Sequence, residues 1–80
     1  MDKAYIVVNK KQELDVLKKF EKNGIKWASN HNPTGFFPSD TRDFPIVLFE
    51  GDYITWNFLD YLNSEEIIYD GRKGRIICTR

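Results

Sequence analysis

The chain of 80 residues has one cysteine, one histidine and one methionine, and its twelve basic and twelve acidic side chains cancel. Each shortage closes off a chemistry. A lone cysteine, Cys78, excludes an intrachain disulfide and fits a reducing compartment. One cysteine and one histidine cannot assemble a Cys/His zinc site of the usual four ligands within one chain. A net charge of zero removes any overall pull toward nucleic acid or an anionic membrane. No apolar run approaches the roughly 20 residues of a membrane span. The opening MDKAYIVV is too short and too soon polar for a signal peptide, so the expected address is cytoplasmic. Glycine is sparse as well. Gly71, Arg72, Lys73 and Gly74 are the nearest approach to a phosphate loop, and a hairpin tip explains them. Repeats and low-complexity tracts are absent.

What is present is aromatic. Two tryptophans, four tyrosines and six phenylalanines stand in a chain near the lower size limit for an independent core. Each can bury about 150–250 Å². One domain over residues 1–80 is expected.

The organising stretch is FPIVLFEGDYITWNF, residues 44–58. Apolar runs at 46–49 and 53–58 flank Glu50, Gly51 and Asp52, a hairpin pattern filled with β-branched and aromatic residues. In the first arm Ile46 and Leu48 oppose Val47 and Phe49, so both faces are apolar and the arm belongs in the middle of a sheet. In the second arm Ile54, Trp56 and Phe58 form the apolar face.

Before it, residues 4–8 (AYIVV) read as a buried strand. Asn9 and Gln12 make a capping pattern, and Leu14, Val16, Leu17 and Phe20 share one arc of a helix over 10–23. Lysines fill its opposite face, with Asp15 and Lys19 spaced for an ion pair, and Gly24 suits the helix end. Residues 25–29 (IKWAS) alternate as a strand does, and could return parallel to the first. Residues 30–43 break every period and read as a long loop, with Phe36 and Phe37 facing opposite ways, one inward and one exposed. A helical turn over 59–62 and two strands, 65–69 and 75–79, complete the chain. The order β-α-β-loop-β-β-β-β predicts an α+β fold: a mostly antiparallel sheet of about five to six strands with one main helix on one face. Leu14, Leu17, Phe20, Trp27, Ile46, Leu48, Ile54 and Trp56 are expected in one core.

Residues 5–69 resemble small accessory proteins encoded by bacteriophages and other mobile elements. The likeness rests on the first strand, the lysine-rich helix ending in Asn23 and Gly24, and Ile25-Lys26-Trp27-Ala28-Ser29. It continues in Asn32-Pro33-Thr34 and Tyr53-Ile54-Thr55-Trp56. Such proteins often carry glycine soon after the KWAS segment, where this chain has Asn30. The resemblance implies a phage-type accessory protein acting against a host system, and it brings no catalytic residues.

Catalytic patterns are thin. His31 with Asp40 and Asp43 matches no metal motif, Cys78 with His31 no nucleophilic one, and no serine sits in an elbow sequence. Glu65 and Glu66 fall on opposite faces of a strand. The expectation is a non-enzymatic protein without cofactor or metal. Charge is uneven: residues 1–27 hold seven lysines against four acids, 28–70 one arginine against eight acids, and 71–80 four bases. That pattern either makes an acidic recognition surface or brings the ends beside the middle to neutralise it. Tyr53, Tyr61, Tyr69, Arg72, Lys73 and Arg75 could form a single-strand-binding face, but eight acids in the middle region and zero net charge oppose a nucleic-acid role. The favoured function is binding, and inhibiting, a host protein through Phe36, Phe37, Asp40, Arg42 and Asp43, an aromatic pair with a charged rim. A nucleotide-signal or other small-ligand binder is the alternative. A homodimer through an edge strand, 4–8 or 75–79, is also expected. No membrane partner is.

Overall fold

The computed structural model describes residues 3–63, 65–73 and 75–76. The elements run β1 (Lys3–Val7), α1 (Lys10–Lys22), 3-10 turns at Pro33–Gly35 and Pro38–Asp40, β2 (Ile46–Glu50) and β3 (Ile54–Phe58). A third 3-10 turn (Leu59–Tyr61), β4 (Glu66–Asp70) and β5 (Arg75–Ile76) follow. The five strands form one sheet in the order β3-β2-β1-β4-β5. β1 pairs antiparallel with β2 and parallel with β4, and the β2–β3 and β4–β5 pairs are antiparallel. The fold is thus α+β, mostly antiparallel, with one main helix.

Helix α1 begins where Asn9 Oδ1 accepts the Gln12 backbone N–H at 2.9 Å. The Gln12 side chain returns the favour one residue early, accepting from the Val8 N–H at 2.9 Å and donating to Gly71 O at 3.1 Å. It ties the end of β1 to the β4–β5 turn. Gly71 allows that approach, because a Cβ there would stand 2.6 Å from Ile6 O. At the other end Gly24 takes φ +78, the Ile25 N–H reaches Phe20 O and the Gly24 N–H reaches Glu21 O, which satisfies the last carbonyls. Instead of the expected Asp15–Lys19 pair, Asp15 meets Lys11 at 3.5 Å. Lys19 Nζ lies 5.8 Å from the Tyr5 ring centroid.

The sheet is apolar on both faces through its centre. On the helix side Val16, Leu17 and Phe20 pack on Tyr5, Val7, Ile46, Leu48, Ile54 and Ile68. On the other side Ala4, Ile6, Val47 and Phe49 lie under Leu59, Leu62 and Ile67. Each fully buried aliphatic or aromatic side chain contributes about 1.5–3 kcal/mol.

Four expectations need correcting. Residues 25–29 are no strand: Trp27 makes one parallel bridge to Ile54, after which the chain turns at 28–30, so the described residues hold five strands, the lower of the numbers expected. β1 is central, leaving β3 and β5 as the edges, so the proposed dimer edge at 4–8 is closed. Leu14 is only half-buried and outside the main cluster, and the buried position beside it belongs to Glu13. The strand expected at 65–69 is shifted to Glu66–Asp70. Of the strand expected at 75–79, the part beyond Ile76, Cys78 included, lies outside the described residues.

Candidate interaction cleft

The site is built around Trp27. Lys26 O accepts the Ile54 N–H at 2.8 Å, which lays Trp27 against the outer edge of β3. The indole N–H donates to Pro33 O at 3.1 Å and the backbone N–H to His31 O at 3.1 Å, so both N–H groups of Trp27 are held by the loop. The turn that follows needs Asn30 at φ +71, a left-handed conformation favoured by glycine and tolerated by asparagine. Asn30 thus supplies a backbone conformation that most other side chains would resist.

The Pro33–Gly35 turn then presents Phe36, whose ring stands edge-on to Trp27 with centroids 5.0 Å apart at 83°. Phe36 is 42% exposed. Phe37 faces the other way, half-buried against the core, with Lys10 Nζ 4.3 Å from its ring centroid. The next turn is pinned by Glu13: Ser39 donates its N–H at 3.1 Å and its Oγ–H at 2.6 Å to the buried carboxylate. Lys10 donates to Asp40 at 2.8 Å and stands 3.7 Å from Glu13. The bond to Asp40 leads the interactions that hold the Lys10 ammonium above its usual 10.5.

Between this loop and β3 lies an open cleft of about 570 Å³, lined chiefly by Trp27, Phe36 and Trp56, with Ser29, His31 and Thr55 as its polar residues. Ser29 Oγ and His31 Nδ1 are 2.7 Å apart. The Arg42 guanidinium sits 5.7 Å from the Trp56 ring centroid and donates to Thr41 O at 3.0 Å. The volume and the apolar lining with few polar groups are those of ligand and anchor-residue sites.

The five residues singled out from the sequence do not form one patch. Phe36 lines the cleft and Arg42 stacks on its wall, whereas Phe37 and Asp40 belong to the Lys10–Glu13–Ser39 anchor. Asp43 is exposed. Trp27, Trp56, Ser29 and His31 were not placed in a site by sequence reasoning. Their shared neighbourhood depends on the Trp27–Ile54 bridge, which no local pattern encodes.

The nucleic-acid face also disperses. Tyr53 flanks the β3 edge, Arg72 and Lys73 lie in the turn between β4 and β5 at the opposite side of the sheet, and Tyr69 packs on the core. Arg72 is committed to the buried Asp70, which accepts from its backbone N–H at 3.0 Å, Nε at 2.9 Å and Nη2 at 2.7 Å. Those bonds hold the Asp70 carboxyl below its ordinary 3.8. Among the described residues no three His, Cys, Asp or Glu side chains gather as metal ligands, so His31, Asp40 and Asp43 do not converge. Among the same residues no helix is long and apolar enough to cross a membrane. Comparison with family models, curated proteins and solved structures finds no match for the chain.

Proposed function

We propose that this chain is a non-enzymatic interaction module that binds and blocks a protein of the host cell, with the aromatic cleft beside β3 as its seat. One observation carries the reading: Trp27, Phe36 and Trp56 converge on one open cleft, and Phe36 keeps 42% of its surface exposed. Rigid aromatic anchors in a concave site are what protein hot spots use. The resemblance to bacteriophage accessory proteins supports a host target, including a defence component.

The test is Phe36→Ala. The variant should melt close to the wild type, because the ring is half in solvent, yet lose about 1–3 kcal/mol of affinity for the protein that the wild-type chain retains from host lysate. Retention of that protein at unchanged affinity overturns the reading. The cleft volume, the Ser29–His31 pair and Arg42 favour a second reading, a small planar ligand stacked between the rings. A nucleotide panel that raises the melting temperature of the wild type but not of Phe36→Ala would select it.

A further inference from the structure

The outer edge of β3 is closed at both ends and open in the middle. The β2–β3 register pairs Ile46 with Phe58, Leu48 with Trp56 and Glu50 with Ile54. The Ile54 N–H points away from β2, because it donates to Lys26 O. Backbone groups alternate along a strand, so those of Ile54, Trp56 and Phe58 face outward while Thr55 and Asn57 bond to β2. The Phe58 N–H is taken by its neighbour's side chain, Asn57 Oδ1, at 2.8 Å. That leaves the Trp56 N–H as the one outward donor of β3 without a partner among the described residues, and the Trp56 C=O beside it is likewise unbonded there. They open onto the cleft that Trp56 itself lines.

We propose, building on the interaction reading above, that the partner enters as an extended segment that pairs its backbone with Trp56 as a sixth strand and inserts one apolar side chain into the cleft. The residue opposite Trp56 in such a pair projects its side chain to the same face as the Trp56 ring, between Trp27 and Phe36. The 570 Å³ cleft admits a large side chain. The segment takes up the line of pairing that Trp27 begins and the turn at 28–30 abandons.

Charge selects the occupant. A second copy of this chain, pairing antiparallel about Trp56, would bring Asp52 of each molecule toward Asp60 of the other, since each acid lies two residues beyond one end of β3. Like charges facing across a pair destabilise it, and here they do so twice. Asp40 and Glu50 are occupied, by Lys10 and by the Tyr5 hydroxyl at 2.7 Å. Asp43, Asp52 and Asp60 have no ion-pair or hydrogen-bond partner among the described residues and outnumber the nearby Lys26 and Arg42. The complementary segment is one flanked by Lys or Arg, with its base at the Phe58 end, where Asp60 follows β3 and Asp43 stands three residues before Ile46, the partner of Phe58.

The probe is the capped heptapeptide Lys-Thr-Val-Leu-Val-Thr-Lys, with two controls: N-methylation at its fourth and fifth residues, and glutamate in place of both lysines. The parent should bind the wild-type chain, slow hydrogen exchange at the Trp56 amide and bind at least about tenfold more tightly than either control, the loss expected when a donor goes unmatched or a charge is reversed. Absence of binding at millimolar peptide overturns the proposal. So does equal binding of the N-methylated peptide, which would mean that side chains alone hold the segment. A dimer of the free chain that protects the Trp56 amide overturns the choice of occupant. If Phe36→Ala loses the lysate protein while that protein leaves Trp56 exchange unchanged in the wild type, strand addition fails and the interaction reading stands.

Discussion

Glu13 is an acid in a core position, and its work is to hold a loop 26 residues away. Its carboxylate closes the Pro38–Asp40 turn by accepting two hydrogen bonds from Ser39, one from the backbone. Removing it leaves the half-buried Ser39 N–H and hydroxyl without that acceptor. Glu13→Ala should therefore cost about 1.5–3 kcal/mol by chemical denaturation, the range for bonds to a charged group. A denaturation midpoint equal to that of the wild type would show that the turn stands without it. Sequence patterning could not have found this residue, because periodicity identifies a helix face and says nothing of what packs on it. Phe36 and Phe37 were different. Two bulky neighbours in an extended stretch face opposite ways, and the structure places one half-buried against the core and one at the surface. Asn30 takes φ +71, a backbone demand that the loop composition around it does not single out.

Among the elements, α1 and the β2–β3 hairpin were readable because each declares itself within 15 residues or so: cap, periodic face and terminal glycine for one, apolar arms and a Gly/Asp turn for the other. Leu17 is the centre of the helix face and has no exposed surface. Leu17→Ala should cost about 2–5 kcal/mol, a large part of the stability of so small a domain. A thermal melt within a degree or two of the wild type would contradict the packing. The segment at 25–29 misled because five alternating residues satisfy the strand pattern whether or not a partner strand is there, and the bridge to Ile54 supplies only one rung. The β4–β5 turn makes a pH prediction. Arg72 depresses the Asp70 pKa, so the pair's contribution is full above the unfolded value near 3.8 and fades as pH falls through the lower folded value. Asp70→Asn should flatten the acid limb of the stability–pH curve below about pH 4 and leave the neutral plateau lower. An acid limb identical to wild type would mean that Asp70 titrates as a free carboxylate.

At the scale of the molecule, the strand order was the hidden part. β1 is apolar on both faces, the same property that placed β2 in the middle, yet its parallel neighbour β4 lies some 60 residues on, beyond the reach of any local pattern. The uneven charge is resolved in part. Each basic end sends a pair into the acidic middle, Lys10 to Asp40 and Arg72 to Asp70. What stays unneutralised is concentrated around β3. Asp40→Lys would therefore damage the anchor of the loop rather than the rim. Asp43→Lys with Asp60→Lys addresses the rim alone. The double variant should slow association with a basic partner several-fold at low ionic strength, leave dissociation nearly unchanged, and lose that difference as salt rises past the screening range. An association rate equal to wild type at low salt would remove steering from the account.

The chain has two tryptophans, and both stand on the walls of the same cleft, Trp27 clamped and buried, Trp56 partly buried with a guanidinium over its ring. The protein is thereby its own optical gauge. Whatever enters the cleft displaces water from Trp56 and disturbs Arg42, so the emission maximum shifts and the quantum yield changes without any label attached. Because no other indole contributes a background, the whole tryptophan signal reports the state of one site. A titration followed by intrinsic fluorescence, with Phe36→Ala as the reference, would read occupancy directly and would sort a peptide, a nucleotide and an indifferent solute in a single cuvette.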